Sequence, residues 1–290
     1  MAKFEWSEVF TSIEGEGTYT GCPTAYIRFT KCNFTCKGFN NPENINTETN
    51  EGIGFDLAQF KTLSELPPIV RGCDSIYAWD NRFSHMWESG DEEKLIRAVL
   101  DTIPHKSWIH PVTGQPVILS LTGGEPTLRQ KQIPALLKHP LMEDCQHILI
   151  ETNCSVPIRD DFISALNDWW KPGKKITFAN SPKLRASGEL WADAIKPEIA
   201  FKQQLVKHGD QYFKFVCGPD ESDFDEVEKA MMEYWVAGVA RRNNVLIMPT
   251  ACTIGQQDDI AAQVAQMCIE RGYVFCYRVH VPVFKNAPGS

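Results

Sequence analysis

Thr24–Cys36 reads TAYIRFTKCNFTC. Its first seven residues alternate aromatic and β-branched side chains with small or polar ones, which predicts a strand over Thr24–Thr30 with two cysteines on its exit. Downstream the text repeats a strand–helix rhythm. Strands are expected at Val117–Leu121, His147–Glu151, Lys175–Ala179, Tyr212–Val216, Val245–Met248 and Val274–Val281. Helices are expected at Glu92–Thr102, Gln130–Lys138, Asp160–Trp170, Phe224–Val236 and Asp258–Glu270. Such alternation implies a parallel sheet with helices outside. Six or seven strands are too few for a closed eight-fold barrel, so an open, partial barrel fits better. Between Lys37 and Gly72 the text is polar and rich in Asn and Gly, reading as loop with one short helix at Phe55–Leu63, ended by Pro67-Pro68. Unstructured stretches of that length inside a compact domain are usually functional or inserted.

The 290 residues suit a single domain carrying an insertion at about 37–72. A net charge of −8 argues against a broad phosphate-binding face, so direct nucleic-acid binding is not expected. A small substrate or a protein partner is. No apolar run approaches a membrane span, and the opening residues lack a secretion signal, so the cytoplasm is the expected compartment. Ten cysteines are too few for a disulfide scaffold in a chain this long. Most should pack as small apolar residues, Cys154 among them, with a minority serving as metal ligands.

Cys32 and Cys36 are four residues apart, close enough to grip one metal centre, though two neighbouring buried thiols would satisfy the spacing as well. A structural zinc site would need four protein ligands. A four-iron cluster usually takes four cysteines. Held by three, it leaves one iron open to the amino and carboxylate groups of S-adenosyl-L-methionine (SAM), whose reductive cleavage releases a 5′-deoxyadenosyl radical. The radical-SAM spacing is Cys-x3-Cys-x2-Cys, and position 39, where the third cysteine should stand, is Phe39.

Phe10–Gly17 (FTSIEGEG), Gly21-Cys22-Pro23 and Tyr26-Ile27-Arg28 resemble the opening of the 7-carboxy-7-deazaguanine synthases, radical-SAM enzymes of the 7-deazapurine (queuosine-type) pathway. In that family Asp-Thr and then an aromatic residue follow the third cysteine; here Cys73-Asp74-Ser75-Ile76-Tyr77 does. The resemblance therefore makes Cys73 the third ligand, displaced by an insertion of 34 residues. Closing the longer loop costs only about 2–3 kcal/mol. Two positions depart from the pattern: Gly72 precedes the third cysteine where an apolar residue is common, and Glu14 replaces a glutamine.

The same resemblance carries further roles. Thr122-Gly123-Gly124-Glu125 matches the segment that holds the amino group of SAM, and its paired glycines allow close backbone approach. Glu151-Thr152-Asn153, Ser181-Pro182-Lys183 and, more loosely, Met248-Pro249-Thr250 match further SAM-pocket segments, with Asp74 beside them. Ile13, Glu14, Gly15, Arg28, Thr122 and His280 are the implied substrate residues, with Arg28 either pairing a substrate carboxylate or facing water from an edge strand. Ser75 is the implied ligand of Mg2+, a cation that takes few protein oxygens. Arg278-Val279-His280 is expected on the last strand, and Phe284–Gly289 resembles a tail that closes over substrate in some members.

The implied fold is thus the α/β partial TIM-type barrel of the radical-SAM family. The implied reaction converts 6-carboxy-5,6,7,8-tetrahydropterin into 7-carboxy-7-deazaguanine with loss of ammonia. A 4Fe–4S cluster, SAM and Mg2+ would serve it, with a flavodoxin- or ferredoxin-type electron donor and a homodimer as one assembly. Two other readings stay open on the residues alone: an activase of a glycyl-radical enzyme, and a non-catalytic iron–sulfur protein in which Cys73 is not a ligand.

Overall fold

The computed structural model of the protein describes residues 2–240, 245–285 and 289. Nine strands form one sheet: β1 (Phe4–Ile13), β2 (Pro23–Phe29), β3 (Glu88–Gly90), β4 (Ile118–Gly123), β5 (His147–Thr152), β6 (Lys175–Asn180), β7 (Gly209–Cys217), β8 (Val245–Pro249) and β9 (Val274–Phe275). Their order is β3-β1-β2-β4-β5-β6-β7-β8-β9. From β2 to β9 every pairing is parallel, while β1 runs antiparallel to both β2 and β3. The two ends of the sheet do not pair with each other, so the barrel is partial, as its strand count requires.

Alternation along the parallel strands sorts their side chains into two layers. Ala25, Ile27 and Phe29 of β2, Leu119 and Leu121 of β4, and Phe213 and Phe215 of β7 enter the main core beneath the helices. The residues between them, including Tyr26, Arg28, Thr122, Glu151 and Lys214, line a cavity on the other face. Helices at Glu92–Thr102, Asp160–Trp169, Glu221–Val236 and Ile254–Arg271 cover the outer face, several opened by side-chain caps such as Asp91, which accepts from the Lys94 N–H at 2.9 Å. No helix among the described residues is long and apolar enough to cross a membrane.

Three expectations are corrected. The segment from 37 to 72 is no structureless loop, and its helix lies at Asn50–Ile53, not Phe55–Leu63, followed by single 3-10 turns at Leu57–Gln59 and Leu63–Glu65. It folds because Ile53, Leu57, Leu63, Leu66 and Ile69 bury themselves against Ile76, Tyr77 and Phe83, a satellite core separate from that of the barrel. The last strand stops at Phe275, so Arg278 lies beyond it and His280 opens a short helix to Phe284. The N-terminal strand β1, absent from the sequence reading, supplies an edge pair to the parallel sheet. Of the tail quoted above, Asn286–Pro288 lie outside the described residues.

Candidate active site

Because the parallel strands all end on one rim, their exit loops converge there, and a cavity of about 260 Å³ opens between them. Cys32 and Cys36 sit on the loop leaving β2. Lys31 and Cys36 adopt left-handed backbone angles (φ 72° and 47°), which fold the loop back on itself. Glu189 holds that turn: one of its oxygens accepts the N–H of Thr35 at 2.9 Å and of Cys36 at 2.7 Å. From the other side, Gly124 lies so close that an added Cβ would stand 2.0 Å from the Lys31 carbonyl oxygen, so only glycine fits.

Cys73 reaches the same place because the insertion closes on itself. The Gly72 N–H donates to the Phe39 carbonyl at 2.7 Å, bringing the end of the insertion back to its beginning. Cys32, Phe39 and Cys73 pack against Phe34, Cys36 and Ala194, and all three cysteines line the cavity. None is in a disulfide. Burial pushes the three thiols up, Cys32 to about 12, with Glu125 adding to the effect there. A metal bound here must therefore displace protons. Among the described residues no three His, Cys, Asp or Glu side chains converge as ligands of a single ion. A four-iron cluster makes a different demand, since each cysteine takes its own iron. Three free thiols around one cavity, backed by a glycine that clears space beside Cys32, suit that demand.

Of the residues implied by resemblance, Ile13, Glu14, Gly15, Arg28, Asp74, Ser75, Thr122, Gly123, Gly124, Thr152, Ser181, Lys183, Met248, Pro249, Thr250 and His280 join the three cysteines on the cavity wall. Glu125 and Pro182 do not. Glu125 is fully buried behind the wall. Its carboxylate accepts from the Thr127 N–H and hydroxyl at 2.9 and 2.6 Å, the Thr152 hydroxyl at 2.8 Å and the Asn153 N–H at 2.7 Å. These bonds tie the exits of β4 and β5 together, three of them on one carboxylate oxygen and one on the other. Arg28 is not a water-facing edge residue. It is half-buried in β2, bound to Glu8 at 2.6 Å, sandwiched between the Phe10 and Tyr77 rings, and donates to the Ser75 hydroxyl at 3.1 Å.

The deeper end of the cavity holds a charged cluster that sequence reasoning largely missed. Glu16 pairs with Lys214 and, at 2.9 Å, with Arg278, whose other nitrogens reach the Ala251 carbonyl at 2.6 Å and Asp74 at 2.7 Å. Burial alone would push Glu16 up, but Lys214, Arg278 and His280 hold it well below the usual carboxylate range. Burial likewise opposes the charge of Lys214, and Glu16 and Glu151 overcome it. The imidazole of His280 lies against Gly15, where a Cβ would come within 1.9 Å of its Nδ1. Burial lowers the proton affinity of that imidazole, with Glu16 in opposition. A signal for Lys214 existed: a lysine between Phe213 and Phe215 in an apolar strand must find a partner on the opposite face. The insertion adds a wall of Phe39, Asn40, Pro67, Pro68 and Ile69 that no motif announced.

No family model matches the chain. Among curated proteins it is similar to the 7-carboxy-7-deazaguanine synthase of Halobacterium salinarum, at 27% identity with 97% of this chain and 91% of that protein covered. It is also similar to that of Rhodopirellula baltica, at 25% identity with 98% and 88% covered. The synthase of Methanothermobacter thermautotrophicus is 29% identical, with 73% of this chain and 68% of that protein covered. Among solved structures, QueE from Escherichia coli superposes with a TM-score of 0.51 and 18% identity, covering 96% of this chain and 95% of that one, which supports the fold. By sequence, then, the chain is similar along nearly its whole length to the 7-carboxy-7-deazaguanine synthases.

Proposed function

We propose that the chain is a radical-SAM carbon–nitrogen lyase that converts 6-carboxy-5,6,7,8-tetrahydropterin into 7-carboxy-7-deazaguanine with release of ammonia. One observation carries the reading: three free cysteines and a buried set of paired charges open onto the same closed-in cavity. Cys32, Cys36 and Cys73 would hold the 4Fe–4S cluster, and bound SAM at its open iron would supply the hydrogen-abstracting radical. Around it the chain binds and orients. Gly123 and Gly124 let the backbone come close, and Lys183, 3.2 Å from the Ser181 hydroxyl, presents a cation to a ligand carboxylate. Arg28 and Lys214 offer charge to the substrate's carboxylate, and the burial of Lys214 keeps competing water from it.

Ser75 fits the magnesium role. Its oxygen accepts from Arg28 and donates its proton to Asp74 Oδ1 at an oxygen–oxygen distance of 3.3 Å, which leaves a lone pair for a cation. Asp74 Oδ2 is occupied by Arg278. The reading brings with it a flavodoxin- or ferredoxin-type electron donor, work in the cytoplasm and, as one assembly, a homodimer.

The test is an anaerobic assay with reconstituted cluster, SAM, reductant, Mg2+ and the carboxytetrahydropterin. The expected result is the deazaguanine acid by mass; SAM cleavage without that product would sink the substrate assignment. The ligand assignment has its own measurement. Cys73→Ala should lose cluster iron and its visible absorbance, and unchanged iron content would remove Cys73 from the set.

A further inference from the structure

We propose that Glu14 keeps its proton at neutral pH and meets the substrate as an uncharged carboxyl group beside Glu151. The nature of the ligand rests on the pterin reading above. The proton itself rests on hydrogen-bond and charge accounting.

The Tyr26 hydroxyl lies 3.2 Å from the Ile13 carbonyl oxygen and 3.2 Å from Glu14 Oε2. It has one proton to give, and the carbonyl can only accept. Once that proton points to Ile13, the phenol oxygen turns a lone pair toward Glu14. Two lone pairs facing each other repel, so a hydrogen on Oε2 completes the contact. Oε1 meanwhile accepts the Glu16 N–H at 3.3 Å and keeps a free lone pair toward the cavity.

Charge points the same way. Glu14 is 3% exposed. The groups facing it are Tyr26 of β2, Glu151 of β5, Tyr212 and Lys214 of β7, and Glu16 of its own loop. Among the described residues Lys214 is the one cation of this set, and Glu16 engages it. Arg278 is shared by Glu16 and Asp74, and Arg28 belongs to Glu8. Burial, then the Glu151 charge, holds Glu14 well above the usual carboxylate range, against the pull of Lys214. Two ionised carboxylates here would also repel an anionic substrate. A neutral Glu14 accepts a ring N–H or amino group through Oε1 without adding that repulsion, and Glu151 is fixed beside it by the Ser120 hydroxyl at 2.6 Å.

A carboxamide has the same pattern, N–H toward Tyr26 and C=O toward the cavity. In the reconstituted holoenzyme at neutral pH, the infrared difference between wild type and Glu14→Gln should show a protonated-carboxyl C=O band that shifts in deuterated water. Tyr26→Phe should keep the band but move it, which serves where Glu14→Gln fails to fold. Affinity for the carboxytetrahydropterin should fall about tenfold in Glu14→Leu and stay within about threefold of wild type in Glu14→Gln, the scale of one or two neutral hydrogen bonds. An ionised-carboxylate band lost in Glu14→Gln, a band unmoved in Tyr26→Phe, or equal loss of affinity in the Gln and Leu variants overturns the proposal. A protonated band in a wild type that binds no pterin would overturn the ligand while leaving the proton on Glu14.

Discussion

Glu189 shows how much a single side chain outside any motif can decide. Its carboxylate takes the N–H groups of Thr35 and Cys36 from a residue 153 positions away, so nothing local in the cysteine motif could reveal it. Removing it strands those donors in a half-buried loop, at a cost of about 1–3 kcal/mol. Glu189→Ala is therefore expected to lower iron retention after reconstitution, with the fold intact by circular dichroism; full iron retention would show that the turn stands without it. The cysteines themselves were legible, and so were the cavity-lining glycines, because close backbone approach leaves a mark in residue type. Glu125 was legible as a motif but not in its place behind the cavity wall. Four internal hydrogen bonds engage its carboxylate, and hydrogen-bond geometry is not written in a four-residue pattern.

At the scale of elements, the parallel strands were readable because period-two alternation survives in them. β1 was missed where that period breaks. Its register against β2 shifts between Trp6 and Glu8, so Trp6 faces the helices while Phe10, four residues on, stacks on Tyr26 at 4.6 Å on the cavity face. The opposite error occurred after Phe275, where apolar text continues but the chain turns away to seat Arg278 and His280 in the cavity. The insertion read as loop because its apolar residues follow no regular period. They share a core only after folding against Ile76, Tyr77 and Phe83. That core makes it a lever on the third cysteine. Leu66→Ala, at a site only 5% exposed, should cost about 2–5 kcal/mol and loosen the insertion first. The expected readout is faster proteolytic cleavage between residues 40 and 70, with faster loss of iron; unchanged cleavage would mean that the satellite core does not hold the segment.

At the scale of the whole molecule, stability should depend on pH through His147 beneath the cavity. Burial, with Lys175 adding to it, lowers this imidazole to about 4 from an ordinary 6.5, while its Nε2 stays 3.1 Å from the Thr177 hydroxyl. Between those values the unfolded chain binds a proton that the folded one refuses. The stabilisation is therefore complete above about 6.5 and lost as pH falls toward 4, on the order of 3 kcal/mol in all. Urea midpoints measured across that window should fall with pH in the wild type and flatten in His147→Gln; parallel curves would assign the acid sensitivity elsewhere. Sequence by itself determined the class of fold, the rim on which the site lies and most of the residues that line it. Those depend on local period and on the rule that parallel strands deliver their exits to one edge. Only the tertiary structure decided that Cys73 stands beside Cys36, that Glu16, Lys214 and Arg278 form one buried ion cluster, and that among the described residues no ion pair reaches Glu14. These facts depend on which distant segments meet, and on how burial raises the cost of any charge left without a partner.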